Sequence, residues 1–169
     1  MPRPLPQEYG KYYHGYISLV PEDDLSIAFS NQTAGTLQFL QNIPEAKLNY
    51  AYAPGKWTVK QVLQHLIDAE RIFVYRALRF ARKDATPLAS FEENDYADVA
   101  RVDHLNWADM LDEFRLVRKA SEYFFRSLNE EEMGRYGQAS GVDITVRSLG
   151  FITVGHALHH QNVLKERYF

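Results

Sequence analysis

Apolar residues recur at steps of three and four along four long stretches of the chain, the period of helices that turn one face inward. Leu25, Phe29, Gln32, Thr36, Leu40 and Ile43 mark the first stretch. Asp23 or Asp24 supplies a carboxylate suited to its N-terminus, and Pro44 ends it. The second stretch has the clearest start, because Thr58 with Gln61 three residues later forms a capping-box pattern. It then runs without glycine or proline to about Arg82. Asn106 is a good N-cap for the third, whose apolar positions are Leu111, Phe114, Val117, Phe124 and Phe125, and which stops before Asn129. The fourth runs from about Thr145 to Arg167, after a segment loosened by Gly134, Gly137 and Gly141.

Four helices of this length predict an all-α four-helix bundle. The connection from about Asp84 to Leu105 exceeds an ordinary helix–helix link. It is therefore expected to cross over or to carry a short helix, for which FEENDYADVARV at residues 91–102 is the candidate. Residues 1–21, rich in proline and tyrosine, read as an irregular arm packed on the bundle, with Tyr9, Tyr12, Tyr13 and Tyr16 lying along the core. The whole chain, 1–169, reads as one domain.

The inward faces carry residues that a plain core does not need. Leu149, Ile152, His156, His160 and Val163 step along one face of the fourth helix, because residues four apart lie one above the other. On the second helix, His65 shares a face with Val62, Ala69 and Ile72. Three imidazoles thus stand where aliphatic residues are expected. His159 lies about 60° around the helix from His156, at the border of that face. Neutral imidazoles converging in a bundle suit a divalent ion such as zinc, nickel or iron, and three protein ligands leave positions open for water or substrate. A hydrogen-bonded core histidine is the competing reading, and a single i,i+4 pair is a weak signal by itself.

Composition narrows the chemistry. The 169 residues include no cysteine, so any metal is held by nitrogen and oxygen, and thiolate sites and disulfides are excluded. Nineteen lysines and arginines stand against 22 acids, a net charge of -3 with no basic stripe, which argues against a nucleic-acid partner. The first residues lack the apolar region of a signal peptide and no run is long enough to span a membrane, so the chain is expected in the cytoplasm. A zincin's H-E-x-x-H is also absent, since Ala157 follows His156 and the general base is missing. The Glu-x-x-His of di-iron bundles is absent too: Val62 and Thr153 stand three residues before His65 and His156.

PGKWTVKQVLQHLIDAERIF at 54–73, ITVRSLGFITVGHALHHQNVLKERY at 144–168 and the acidic FEENDY at 91–96 together resemble the DinB-like, or YfiT-like, superfamily. The resemblance implies an up-down-down-up four-helix bundle with a long crossover between its second and third helices. It implies a metal held by the second-helix histidine and the fourth-helix H-x-x-x-H pair, which map onto His65, His156 and His160. Zinc or nickel is the ion expected, with iron and manganese as alternatives. Characterised relatives include transferases that join a low-molecular-weight thiol to an electrophile, and many members are homodimers. Where many relatives carry an acid, this chain has Ala157, which leaves a base role at that position in doubt.

A metal that lowers the pKa of a bound thiol suits an S-transferase, while the same open position would serve a hydrolase through water. A non-catalytic metal- or ligand-binding bundle is the third reading. Asp68, one turn after His65, is a candidate to orient an imidazole, with a solvated helix face as the plainer role. Arg76 returns to the His65 face three turns on and could meet an anionic substrate group or pair with an acid. Trp57 reads as a hydrophobic-staple residue, and Glu92, Asn94 and Asp95 as caps and ion pairs. Phe151, Val154 and Leu158 give the fourth helix a second apolar strip, to be covered by a homodimer partner or by the N-terminal arm.

Overall fold

The computed structural model describes residues 1–169, and its frame is four long helices. In chain order the helices are α1 (His14–Leu19), α2 (Leu25–Gln41), α3 (Val59–Ala81), α4 (Glu93–Val99), α5 (Trp107–Arg126), α6 (Glu130–Met133) and α7 (Val146–Arg167). A hairpin of β1 (Tyr136–Ala139) and β2 (Val142–Thr145) precedes α7. The bundle proper is α2, α3, α5 and α7.

The starts of these helices are set by local chemistry. The Asp24 carboxylate accepts from the backbone amides of Ser26 and Ile27, and Asn106 does the same for Ala108 and Asp109. Thr58 and Gln61 complete the capping box reciprocally, and Thr145 caps α7 through the Ser148 amide. Each such bond satisfies an amide that has no partner within its helix, a contribution of about 1 kcal/mol per cap. The first helix ends at Gln41 rather than running to Ile43, which leaves the helix but stays buried.

Side-chain pairings fix the directions. Lys60 reaches the carbonyl of Leu105, and Glu70 pairs with Arg118, so α3 and α5 run parallel. Tyr168 donates to the Trp57 carbonyl, while His65 meets His156 further along, so α3 and α7 are antiparallel. Thr36 donates to Gln161 near the far end of the parallel pair α2 and α7. Phe29 stacks on Phe125, whereas Leu40 clusters with Met110 and Phe114, so α2 and α5 are antiparallel. The order is therefore up-down-down-up, and a parallel α3–α5 pair requires the long crossover that the sequence predicts.

Two predicted irregular segments are in fact ordered elements. The arm at 1–21 contains α1, preceded by turns of 3-10 helix at Pro6–Glu8 and Lys11–Tyr13. Its apolar residues Tyr13 and Ile17 are buried. The helical reading was missed because six residues are too short to display a period. The glycine-loosened segment before α7 is the hairpin, turned by Ser140 and Gly141, both at positive φ (53° and 76°). This is the left-handed pair that a two-residue hairpin turn requires, and glycine adopts it without steric cost. Leu88 of the crossover bridges in parallel to Ala139, with Leu88 N donating to Gln138 and Ser140 N donating back to Leu88.

α7 is buried nearly all round, from Ser148 to Ala157 without interruption. Its second apolar strip is covered within the chain: Phe151 and Val154 share a core cluster with Tyr9, Tyr13 and Ile17 of the arm. That strip therefore supplies no argument for a dimer. Close packing of α1 on α7 depends on Gly155, where any Cβ would overlap the backbone carbonyl of Tyr16. No helix is long and apolar enough to cross a membrane.

Candidate metal centre

Adjacent turns of α7 present His156 and His160 to the middle of α3, and α3 answers with His65. One ring nitrogen from each lies within 4.8 Å of the others. Nε2 of His65 and Nε2 of His156 are 3.0 Å apart. Two nitrogens bound to one tetrahedral zinc at about 2.0–2.1 Å would be separated by roughly 3.3 Å, so the spacing suits a shared ion. That contact is the sole hydrogen bond that any of the three histidines makes within the protein. Their remaining ring nitrogens have no protein partner, which a core histidine would ordinarily have.

Electrostatics favour the ligand form. Burial holds His65 down to about 4, helped by the neighbouring His159. Burial also holds His156 and His160 well below the ordinary imidazole range, with repulsion between the clustered rings acting in the same direction. All three are therefore neutral at pH 7, the state in which imidazole binds a metal. The donor set is nitrogen only and comes from two rigid helices, which fits a borderline divalent ion.

Aromatic rings wall the cluster. Trp57 lies 4.7 Å from the His65 ring and stacks with His160 at 6.2 Å. Phe73 and Tyr16 meet His156 edge-on, at 5.4 and 5.3 Å. Burial raises the Tyr16 phenol above its ordinary value, with Tyr12 adding to the shift. The three histidines open into a cavity of about 480 Å³ whose further walls are the arm, the crossover and the hairpin tip. This is within the range of small-molecule sites.

The other candidate residues separate. Arg76 lines the same cavity and is buried, 3% exposed. Its Nη2 donates to the Ala89 carbonyl at 2.8 Å and to Ser140 Oγ at 3.2 Å. His159 sits half-buried on the cavity wall, edge-on to Tyr16 and 5.0 Å from the His160 ring. Asp68 does not line this cavity: it accepts from Gln64 at 3.0 Å, pairs with Arg71 at 3.7 Å, and makes no hydrogen bond to a histidine. Its position on α3 turns it toward α4 and the end of the crossover, and burial raises its pKa.

Sequence reasoning passed over Tyr16, Trp57 and Glu93 as cavity residues. The placement of Tyr16 on α1 depends on contacts that periodicity does not show. Trp57 does lie before α3 as a staple residue would, yet its ring faces the histidines. A tryptophan immediately before a helix whose inward face carries histidine was the available signal. Glu93 enters through α4, whose course over the site depends on the crossover as a whole.

The DinB superfamily model matches residues 28–164. YfiT from Bacillus subtilis has a similar solved structure, with TM-score 0.75 and 17% sequence identity over 98% of this chain and 91% of that one. It is described as a probable metal-dependent hydrolase with an unusual four-helix bundle topology. No curated protein matches the chain.

Proposed function

Since the chain belongs to the DinB superfamily, we propose that it is a divalent-metal-dependent enzyme acting on a small molecule, with the ion held by His65, His156 and His160. The observation that carries this reading is the convergence of three imidazoles on one wall of the cavity. A bound ion would act there as a Lewis acid that favours the anionic form of a nucleophile.

The finer reading is S-transfer from a low-molecular-weight thiol. The chain has no cysteine, so the sulfur comes with the cosubstrate. The thiol sulfur forms a bond to an electrophilic carbon, a leaving group departs with its electron pair, and the thiol proton goes to solvent. No carboxylate forms a hydrogen bond to the imidazoles, and Ala157 stands beside His156, so general-base activation of water has little support within the cluster. A thiol needs less help, because its own pKa of about 8.5 lies far below that of water. Trp57, Phe73 and Tyr16 exclude water around the cluster and orient the rings. Hydrolysis is the second reading, favoured by the description of YfiT.

Elemental analysis of protein purified without a histidine tag or chelator tests the site. Near-stoichiometric zinc or nickel is expected, lost in the His65/His156/His160 triple-alanine protein and retained in His159→Ala. Full metal occupancy in His156→Ala would overturn the assignment. With metal present, consumption of an electrophile that depends on added thiol supports transfer, and consumption without thiol supports hydrolysis.

A further inference from the structure

Arg76 is a buried cation without a counter-ion. None of the protein's ion pairs includes it. Burial of an unpaired charge is costly, and a guanidinium cannot relieve the cost by losing its proton. Arg118, the comparably buried arginine, has Glu70 at 2.9 Å. For Arg76 the hydrogen bonds within the protein all leave from Nη2, to Ala89 and Ser140, so Nε and Nη1 keep donors without an acceptor. Those nitrogens are not among the sealed, unsatisfied atoms of the interior, and Arg76 lines the histidine cavity.

The surroundings hold the guanidinium in place rather than neutralise it. The Phe91 ring lies 5.8 Å from its central carbon. The Ala89 carbonyl and the Ser140 hydroxyl fix its Nη2 end. Ser140 is itself held at the hairpin turn, tied by its amide to Leu88. Crossover and hairpin thus meet around one cationic group that faces the space in front of the histidines.

We infer that Arg76, with the Ser140 hydroxyl beside it, is the subsite for a carboxylate of the substrate or cosubstrate. This rests on the proposed function for what happens at the histidines, but not for the binding of the anion. A single positive charge suits a monoanionic carboxylate better than a phosphate dianion, and the cavity's Glu92 and Glu93 further disfavour a second negative charge. The aromatic walls formed by Tyr16, Phe73, Phe91 and Trp57 favour a flat or apolar body attached to that carboxylate.

Benzoate and benzamide are matched probes, alike in shape and different in charge. Calorimetric titration of each into the full-length chain, after chelation and again with zinc restored, reads the subsite. Benzoate is expected to bind at least tenfold more tightly than benzamide in the metal-free protein. Arg76→Gln should abolish the preference and Arg76→Lys should retain part of it, while Ser140→Ala should weaken it with the guanidinium kept. Melting curves identify a variant that fails to fold, in which case Arg76→Lys and Ser140→Ala carry the comparison. Equal affinities, no benzoate binding, or a preference that survives Arg76→Gln would overturn the inference. A preference seen only with zinc present would overturn it too, because the carboxylate would then belong to the ion. A chain that binds no metal yet prefers benzoate would sink the metal reading and leave this one standing.

Discussion

His65 shows how burial keeps an imidazole neutral. An imidazole whose folded value is about 4 stays neutral in the native state while the unfolded chain takes up a proton below about 6.5. The unfolded state then binds more protons, so stability falls as pH falls through that window and is unaffected above it. His156 and His160 shift in the same direction. The metal-free protein should therefore lose about 3 kcal/mol from His65 alone between pH 6.5 and pH 4, measurable by urea unfolding across that range. A His65→Leu protein should lose less over the same interval. Bound metal should lower the pH at which the loss begins, since the ion competes with protons for the same nitrogens.

These three residues were legible in the sequence because helical spacing alone places His156 and His160 on one face and puts His65 on an inward face. Arg76 was legible as a position but not as an environment. Its lack of a counter-ion and its contact with Ser140 depend on where the hairpin tip lands, which no local pattern specifies. Asp68 illustrates the opposite failure: proximity in sequence to His65 suggested contact, yet the side chain pairs with Gln64 and Arg71.

Among the elements, long helices with good caps were readable, and short ones were not. Asp24, Thr58 and Asn106 marked their helices because the capping oxygen and the orphan amides are neighbours in sequence. α1 and the hairpin acquire their structure from packing against α7 and α3 instead. Gly155 is where this dependence is sharpest. Gly155→Ala would drive a methyl group into the Tyr16 carbonyl, which is backbone and cannot rotate away. A loss of about 2–3 kcal/mol is expected by chemical denaturation, together with exposure of the arm to limited proteolysis. An alanine at Gly35, where a Cβ meets nothing, should be neutral or stabilising and serves as the control.

For the whole molecule, two links across α3 have different consequences. On one side Glu70 pairs with Arg118 of α5 and accepts from Ser121 at 2.6 Å, all three side chains buried. Glu70→Ala would strand the Arg118 charge in the core and should cost about 3–5 kcal/mol, whereas joint replacement of Glu70 and Arg118 by Met should cost much less. Thermal denaturation of the single and double variants checks this. On the other side the histidines join α3 to α7. Metal at a thousand times its dissociation constant should add about 4 kcal/mol and raise the melting temperature by roughly 10 °C, reversed by chelation.

The meeting of α1 and α7 at Gly155 has a consequence for how such a protein can diversify. The arm is attached through its main chain at this point, so its outward side chains are not what anchors it there. Tyr12 and Tyr16 look into the cavity from a wall whose local position is set by a glycine on another helix. Their identities can change while the three histidines on α3 and α7 stay fixed. The cavity's outer wall and its histidines thus lie on separate parts of the chain, and a library of substitutions at Tyr12, which touches none of the three histidines, should retune which molecules enter while the cluster keeps its geometry.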